Sequence, residues 1–142
     1  MALRSMPENS SDQDVKQLLS QAKRIAVVGL SDKTYRDSHR VAEYLQEQGY
    51  EIIPVNPGVA EVLGRKAYPD LASVPGPVDV VDVFRHSDAV PEIAQAAVKI
   101  KAKALWMQIG VQNQEAADLA RNNGMLVVQN ACIKVEHHRL MS

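Results

Sequence analysis

The residues best suited to chemistry in this chain are Gly29-Leu30-Ser31 and the polar set that follows: Lys33, Thr34, Tyr35, Arg36, Ser38 and Arg40. Hydroxyls and cations gathered after a one-glycine turn suit a phosphate. Where such a turn leads from a strand into a helix, backbone N–H groups sit at the positive end of the helix dipole. Guanidinium groups add a planar fork that matches phosphate oxygens. A solvated polar loop has the same composition, and the dinucleotide fingerprint needs three glycines where this turn has one. Val55-Asn56-Pro57 follows a second apolar run. Asn56 stands where dinucleotide enzymes usually place an acid for the ribose, which counts against NAD(P). An ordinary Asx-Pro turn is the alternative. Together the two stretches suggest a ligand that bears a nucleotide.

Two more segments sit at the ends of apolar runs. In Phe84-Arg85-His86, Phe84 suits the cover of a flat or extended ligand and Arg85 a phosphate, unless Phe84 is core and Arg85 plain surface. In Trp106-Met107-Gln108-Ile109-Gly110, Gly110 permits close backbone approach and Gln108 can bond a ligand amide, while Trp106 reads as core. Asp79 and Asp82, three apart on a strand, face opposite sides. They therefore make a poor carboxylate pair and read as cap or hydrogen-bond residues. Cys132, near Lys134, His137 and His138, raises a thiol-reactivity alternative, against the usual role of a lone cysteine in packing. His137-His138 lacks partners at metal-binding spacing and reads as part of a solvated tail over 130–142.

These segments need elements to hold them. Apolar periodicity predicts helices over 12–22, 38–48, 89–101 and 112–123, with Asp12 or Asp14 capping the first and Ser38 the second. Strands are expected over 25–28, 51–55, 78–84, 104–107 and 125–128. Pro54 either ends its strand early or occupies a non-pairing position. Val59, Val62 and Leu63 suggest a short helical turn. Strands alternating with helices imply an α/β fold with a parallel sheet and right-handed crossovers, in order 3-2-1-4-5. On such sheets ligands bind beyond the carboxyl ends of the strands. That edge would carry Gly29, Asn56, Arg85 and Gln108.

The 142 residues suit one domain over 12–142, after a loose tail over 1–11. A formal net charge of −1 gives no basic excess for nucleic acid. One phenylalanine and one tryptophan supply no stacking platform for bases. No apolar run has membrane-spanning length. The single Cys132 and the absence of a signal-peptide core point to a cytoplasmic protein.

The motifs V-V-G-L-S-D-K-T-Y-R-D-S (27–38), P-V-N-P (54–57), V-D-V-F-R (81–85), W-M-Q-I-G (106–110) and C-I-K-V-E-H-H (132–138) occur here in order. In them the chain resembles the stand-alone bacterial and archaeal CoA-binding proteins, from about residue 14 to 140. Those are similar to the N-terminal CoA-binding domain of the succinyl-CoA synthetase α subunit and of NDP-forming acyl-CoA synthetases. The resemblance implies a Rossmann-like three-layer fold and coenzyme A or an acyl-CoA as ligand. It implies that Gly29, Leu30, Ser31, Tyr35, Arg36 and Ser38 hold the phosphate-bearing part. Val55, Asn56 and Pro57 would line the nucleotide side, Phe84 and Arg85 flank the cleft, and Gln108, Ile109 and Gly110 meet the pantetheine. The domain with the phosphorylated histidine and the ATP-grasp partner have no counterpart, so ligase activity is not implied. The expectation is a binding or regulatory module without catalysis of its own, whose protein partner the residues do not identify. Cys132 chemistry on CoA and an NAD(P)-binding module are the alternatives.

Overall fold

Alternating apolar residues give each strand two faces, and both are covered. The computed structural model describes residues 9–142. In chain order these form α1 (Asp12–Gln21), β1 (Arg24–Val28), α2 (Asp37–Glu47), β2 (Glu51–Val55), β3 (Glu61–Val62), β4 (Arg65–Lys66), β5 (Val80–Val83), α3 (Val90–Lys99), β6 (Ala104–Met107), α4 (Gln114–Asn122), β7 (Leu126–Val128) and α5 (Ile133–Met141). Ile25, Val27, Val80 and Trp106 face a layer of α1, α2 and α5, where they pack on Leu19, Leu45 and Ile133. Ala26, Val28, Val81 and Leu105 face α3 and α4. The result is the expected three-layer, Rossmann-like α/β fold.

The main sheet is parallel, in order β2-β1-β5-β6-β7. Outside β2, where the third strand of a 3-2-1-4-5 pattern belongs, stands Tyr68 alone. It bridges Val55 in parallel, donating to the Pro54 carbonyl (3.0 Å) and accepting from the Asn56 N–H (2.8 Å). The 78–84 segment, expected in that third place, lies instead in the fourth, beside β1. Asp79 pins it there, because its carboxylate accepts from the N–H groups of Lys23 (2.8 Å) and Arg24 (2.9 Å) at the start of β1. Pro54 keeps its strand intact because its carbonyl, and with it the side lacking an N–H, points away from β1.

Other local expectations change. The helical turn expected around Val62 is a β3–β4 hairpin, since Leu63 (φ 55°) and Gly64 (φ 75°) turn the chain in the left-handed region that two-residue hairpins require. Ser11, rather than Asp12 or Asp14, caps α1 by accepting from the Asp14 N–H. Of the loose stretch expected over 1–11, residues 1–8 lie outside the described ones. Ser10 exchanges bonds with the main chain of Val127, and Asn9 does so with that of Gln129. No helix among the described residues is long and apolar enough to cross a membrane.

The largest departure is the C-terminal segment, which is helix α5 rather than a solvated tail. Ile133 and His137 are buried, and Leu140 and Met141 pack on the same cluster, a helical stripe interrupted in sequence by its histidine. The Tyr44 hydroxyl lies 2.8 Å from His137 Nδ1, and the Tyr44 and Tyr50 rings meet the imidazole edge-on. Burial, helped by neighbouring His138, holds the His137 pKa below its usual 6.5. The imidazole thus folds in neutral form. Its contribution to stability is present above pH 6.5 and is lost as pH falls below it, because the unfolded chain then takes the proton more readily. Replacing His137 by phenylalanine should remove this component. Thermal melts of the two proteins should show the variant gaining relative stability from pH 7.5 down to 5.5.

Candidate ligand site

Two hollows open side by side at the carboxyl edge of the sheet. The first, of about 740 Å³, is lined by Gly29, Ser31, Asp32, Lys33, Tyr35, Arg36, Asp37, Ser38 and Phe84. It lies over the turn from β1 into α2. Gly29 makes this turn possible: its φ is +88°, and a Cβ there would stand 2.3 Å from the Phe84 carbonyl oxygen. Ser38, expected to cap α2, instead accepts from the Ser31 N–H at 3.0 Å and so shapes the loop. The His39 ring donates to the Ser31 carbonyl at 3.0 Å. Arg36 occupies the cap position with no side-chain cap bond. The start of α2 thus presents its positive end to the hollow, beside Lys33 and Arg36.

The second hollow, of about 940 Å³, shares Phe84 and Asp37 with the first. Arg40, Val41, Arg85, His86, Gln108, Ile109, Gly110, Val111, Cys132, Lys134 and Val135 contribute to its walls. The loop after β6 is braced by polar bonds. Gly110 N–H donates to Asn130 Oδ1 (2.7 Å), and Gln112 N–H to Ser87 Oγ (3.0 Å). Ile109, Val135 and Tyr35 are the large hydrophobic side chains most exposed among the described residues, and all three line these hollows. Apolar surface left open at one site marks a place for a ligand or partner. Lys33, Arg36, Arg40 and Arg85 make no ion pair among the described residues.

Of the fourteen residues singled out from sequence, ten line the hollows: Gly29, Ser31, Tyr35, Arg36, Ser38, Phe84, Arg85, Gln108, Ile109 and Gly110. Leu30, Val55, Asn56 and Pro57 line neither. Leu30 and Val55 are core. The Asn56 amide donates to the Leu30 carbonyl (3.0 Å) and accepts from the Gly58 N–H (2.8 Å), so it ties the β2 loop to the β1 turn. Arg40, noted among the cations after the glycine, lines the larger hollow. Asp37 was missed, although its place in the first turn of a helix after the glycine was signal enough. Trp106 is core, its indole donating to the Ala131 carbonyl. Among the described residues no His, Cys, Asp and Glu cluster suits a metal ion.

Beneath the second hollow lies Asp82, fully buried in a strand otherwise made of valine. Gln108 Nε2 donates to its Oδ1 at 2.7 Å, and Oδ2 has no partner. Burial lifts this carboxyl from 3.8 to about 7, against a smaller opposing pull from the Gln108 bond.

Residues 23–138 match the family model described as CoA binding domain. This chain belongs to the CoA-binding domain family. Over 130 residues, 92% of this chain and 96% of the other, it is 45% identical to the uncharacterized protein YneT of Bacillus subtilis (strain 168). It superposes with a TM-score of 0.92 and 39% identity on a hypothetical protein from Pyrococcus horikoshii OT3, covering 100% of this chain and 99% of that one. It is also 31% identical, over 80 residues, to acetate–CoA ligase [ADP-forming] II of Archaeoglobus fulgidus. That match takes in 54% of this chain and 12% of the ligase.

Proposed function

We propose that this chain binds coenzyme A or an acyl-CoA across the two hollows, as a binding or regulatory module in the cytoplasm. The carrying observation is their junction at Phe84 and Asp37, a cation- and hydroxyl-rich hollow joined to a larger one with apolar walls. Coenzyme A has the matching form, a phosphorylated nucleotide on a long arm of methylenes and amides. In this reading Ser31, Lys33, Arg36 and Ser38 meet phosphate. Phe84 and Arg85 hold the junction, and Gln108, Ile109 and Gly110 meet the arm.

Calorimetric titration with CoA, acetyl-CoA, NAD and ATP tests the proposal. Micromolar CoA affinity with weaker NAD and ATP is expected. NAD binding more tightly than CoA would overturn the choice of ligand. Arg36→Ala should weaken CoA about tenfold, the loss of one charge-assisted contact at roughly 1.4 kcal/mol. A second reading rests on Cys132, which lines the larger hollow at the start of α5. There its thiolate would attack a CoA disulfide, forming a mixed disulfide and releasing the other CoA as thiolate. Mass spectrometry of the protein after exposure to CoA disulfide, with Cys132→Ser as control, decides that reading.

A further inference from the structure

Asp82 is difficult to explain as a structural residue. Its neighbours in β5 are Val80, Val81 and Val83, and its register partners are Val27 on β1 and Trp106 on β6. A valine in its place would suit the strand and avoid burying a carboxyl group with one oxygen unpartnered. What Asp82 does make is a single side-chain bond, to Gln108. Gln108 is itself buried and yet forms part of the wall of the larger hollow.

The chemistry of that bond fixes which end of the amide is held. Gln108 Nε2 is the atom 2.7 Å from Asp82 Oδ1, and that oxygen accepts both in the ionised carboxylate and in the acid that carries its proton on Oδ2, so the NH₂ end of the amide is turned inward. The amide oxygen is left outside this bond, and it is not among the buried polar atoms that lack a partner. The wall of the hollow therefore carries an acceptor at this point. Without an anchor the amide could rotate and offer either end.

We infer that Asp82 is a positioning residue: it holds the Gln108 amide so that its oxygen accepts a hydrogen bond from an N–H of the ligand. This rests on the CoA reading and sharpens it. The ligand segment selected would be an amide N–H of the arm, because Gln108 lines the larger hollow and not the cation- and hydroxyl-rich one assigned to the phosphates. Asp82 would then discriminate between ligands that carry the arm and ligands that lack it, without touching either.

The test compares CoA with adenosine 3′,5′-bisphosphate, which keeps the phosphorylated nucleotide and lacks the arm. Asp82→Val removes the anchor and should weaken CoA about tenfold while leaving the bisphosphate within twofold. Asp82→Asn keeps an oxygen for Gln108 Nε2 to donate to and should restore CoA affinity to within twofold of wild type. Gln108→Met removes both ends of the amide and should show the same selective loss as Asp82→Val. It also carries the test if Asp82→Val does not fold. Unchanged CoA affinity in folded Asp82→Val or in Gln108→Met would overturn the inference. So would an equal loss for both ligands, which is what general damage to the site produces. Failure of the wild-type protein to bind CoA would be a different result, since it removes the proposed ligand before Asp82 is tested.

Discussion

Gly29→Ala should destabilise the fold by about 3 kcal/mol and lower the melting temperature by roughly 10 °C. Two effects combine. At φ +88° an L side chain is strained, by about 1–2 kcal/mol in this region. The new methyl would also stand 2.3 Å from the Phe84 carbonyl oxygen and 3.1 Å from Arg85 Cδ. Backbone at the end of β5 cannot yield as a flexible side chain would, because the Phe84 N–H is bonded to the Val28 carbonyl at 2.8 Å. Any relaxation would push Phe84 and Arg85 outward, at the junction of the two hollows. Ligand affinity should therefore fall together with stability. Thermal melts alongside calorimetry check both, and a variant with wild-type melting would show that the turn tolerates a side chain.

Asp82→Asn should act in the opposite direction, and its effect should depend on pH. The folded carboxyl titrates near 7 and the unfolded one near 3.8. Between those values the folded state holds more protons, so stability declines as pH rises. The penalty begins above pH 3.8 and is complete above about 7. At about 1.4 kcal/mol per unit, the full shift corresponds to about 4 kcal/mol. Asparagine has no charge to bury. The variant should melt about 10 °C above wild type at pH 8 and much closer to it at pH 4. Equal melting at both values would mean that Asp82 is not the buried acid described. His137 works against this trend over part of the same range, which is why each group is read from the difference between variant and parent.

Much of the fold was legible because local signals agreed. The apolar run 25–28 ended by Gly29, the spacing of Val41 and Leu45, and the proline at the start of α3 all point one way. Signals failed where a residue type hid its role. His137 broke an apolar stripe that Ile133 and Leu140 would otherwise have shown, so α5 read as tail. Leu63 in a left-handed conformation is not a turn residue by type, so the hairpin read as helix. The place of β5 in the sheet depended on a bond from Asp79 to a strand more than fifty residues away, which no local pattern records.

The site divides in the same way. Glycines and hydroxyls after β1 and the Trp106–Gly110 segment were visible because they end strands, where an open parallel sheet leaves room. Asn56 was equally visible, yet its amide is engaged by Leu30 and Gly58. A polar residue at the sheet edge can brace the loops or face the cleft, and its type does not say which. Asp82 and Gln108 were noted separately. That they meet follows only from the β5–β6 pairing.

Both rims of the sheet carry small devices against further pairing. Along β2 the outward-facing main chain is that of Ile52 and Pro54, and Pro54 has no N–H while its carbonyl is taken by Tyr68. Along β7 the outward groups of Val127, and of Gln129 just beyond it, are taken by Ser10 and Asn9. A second chain extending the sheet by strand addition would have to displace these contacts first, which guards the fold against edge-to-edge aggregation.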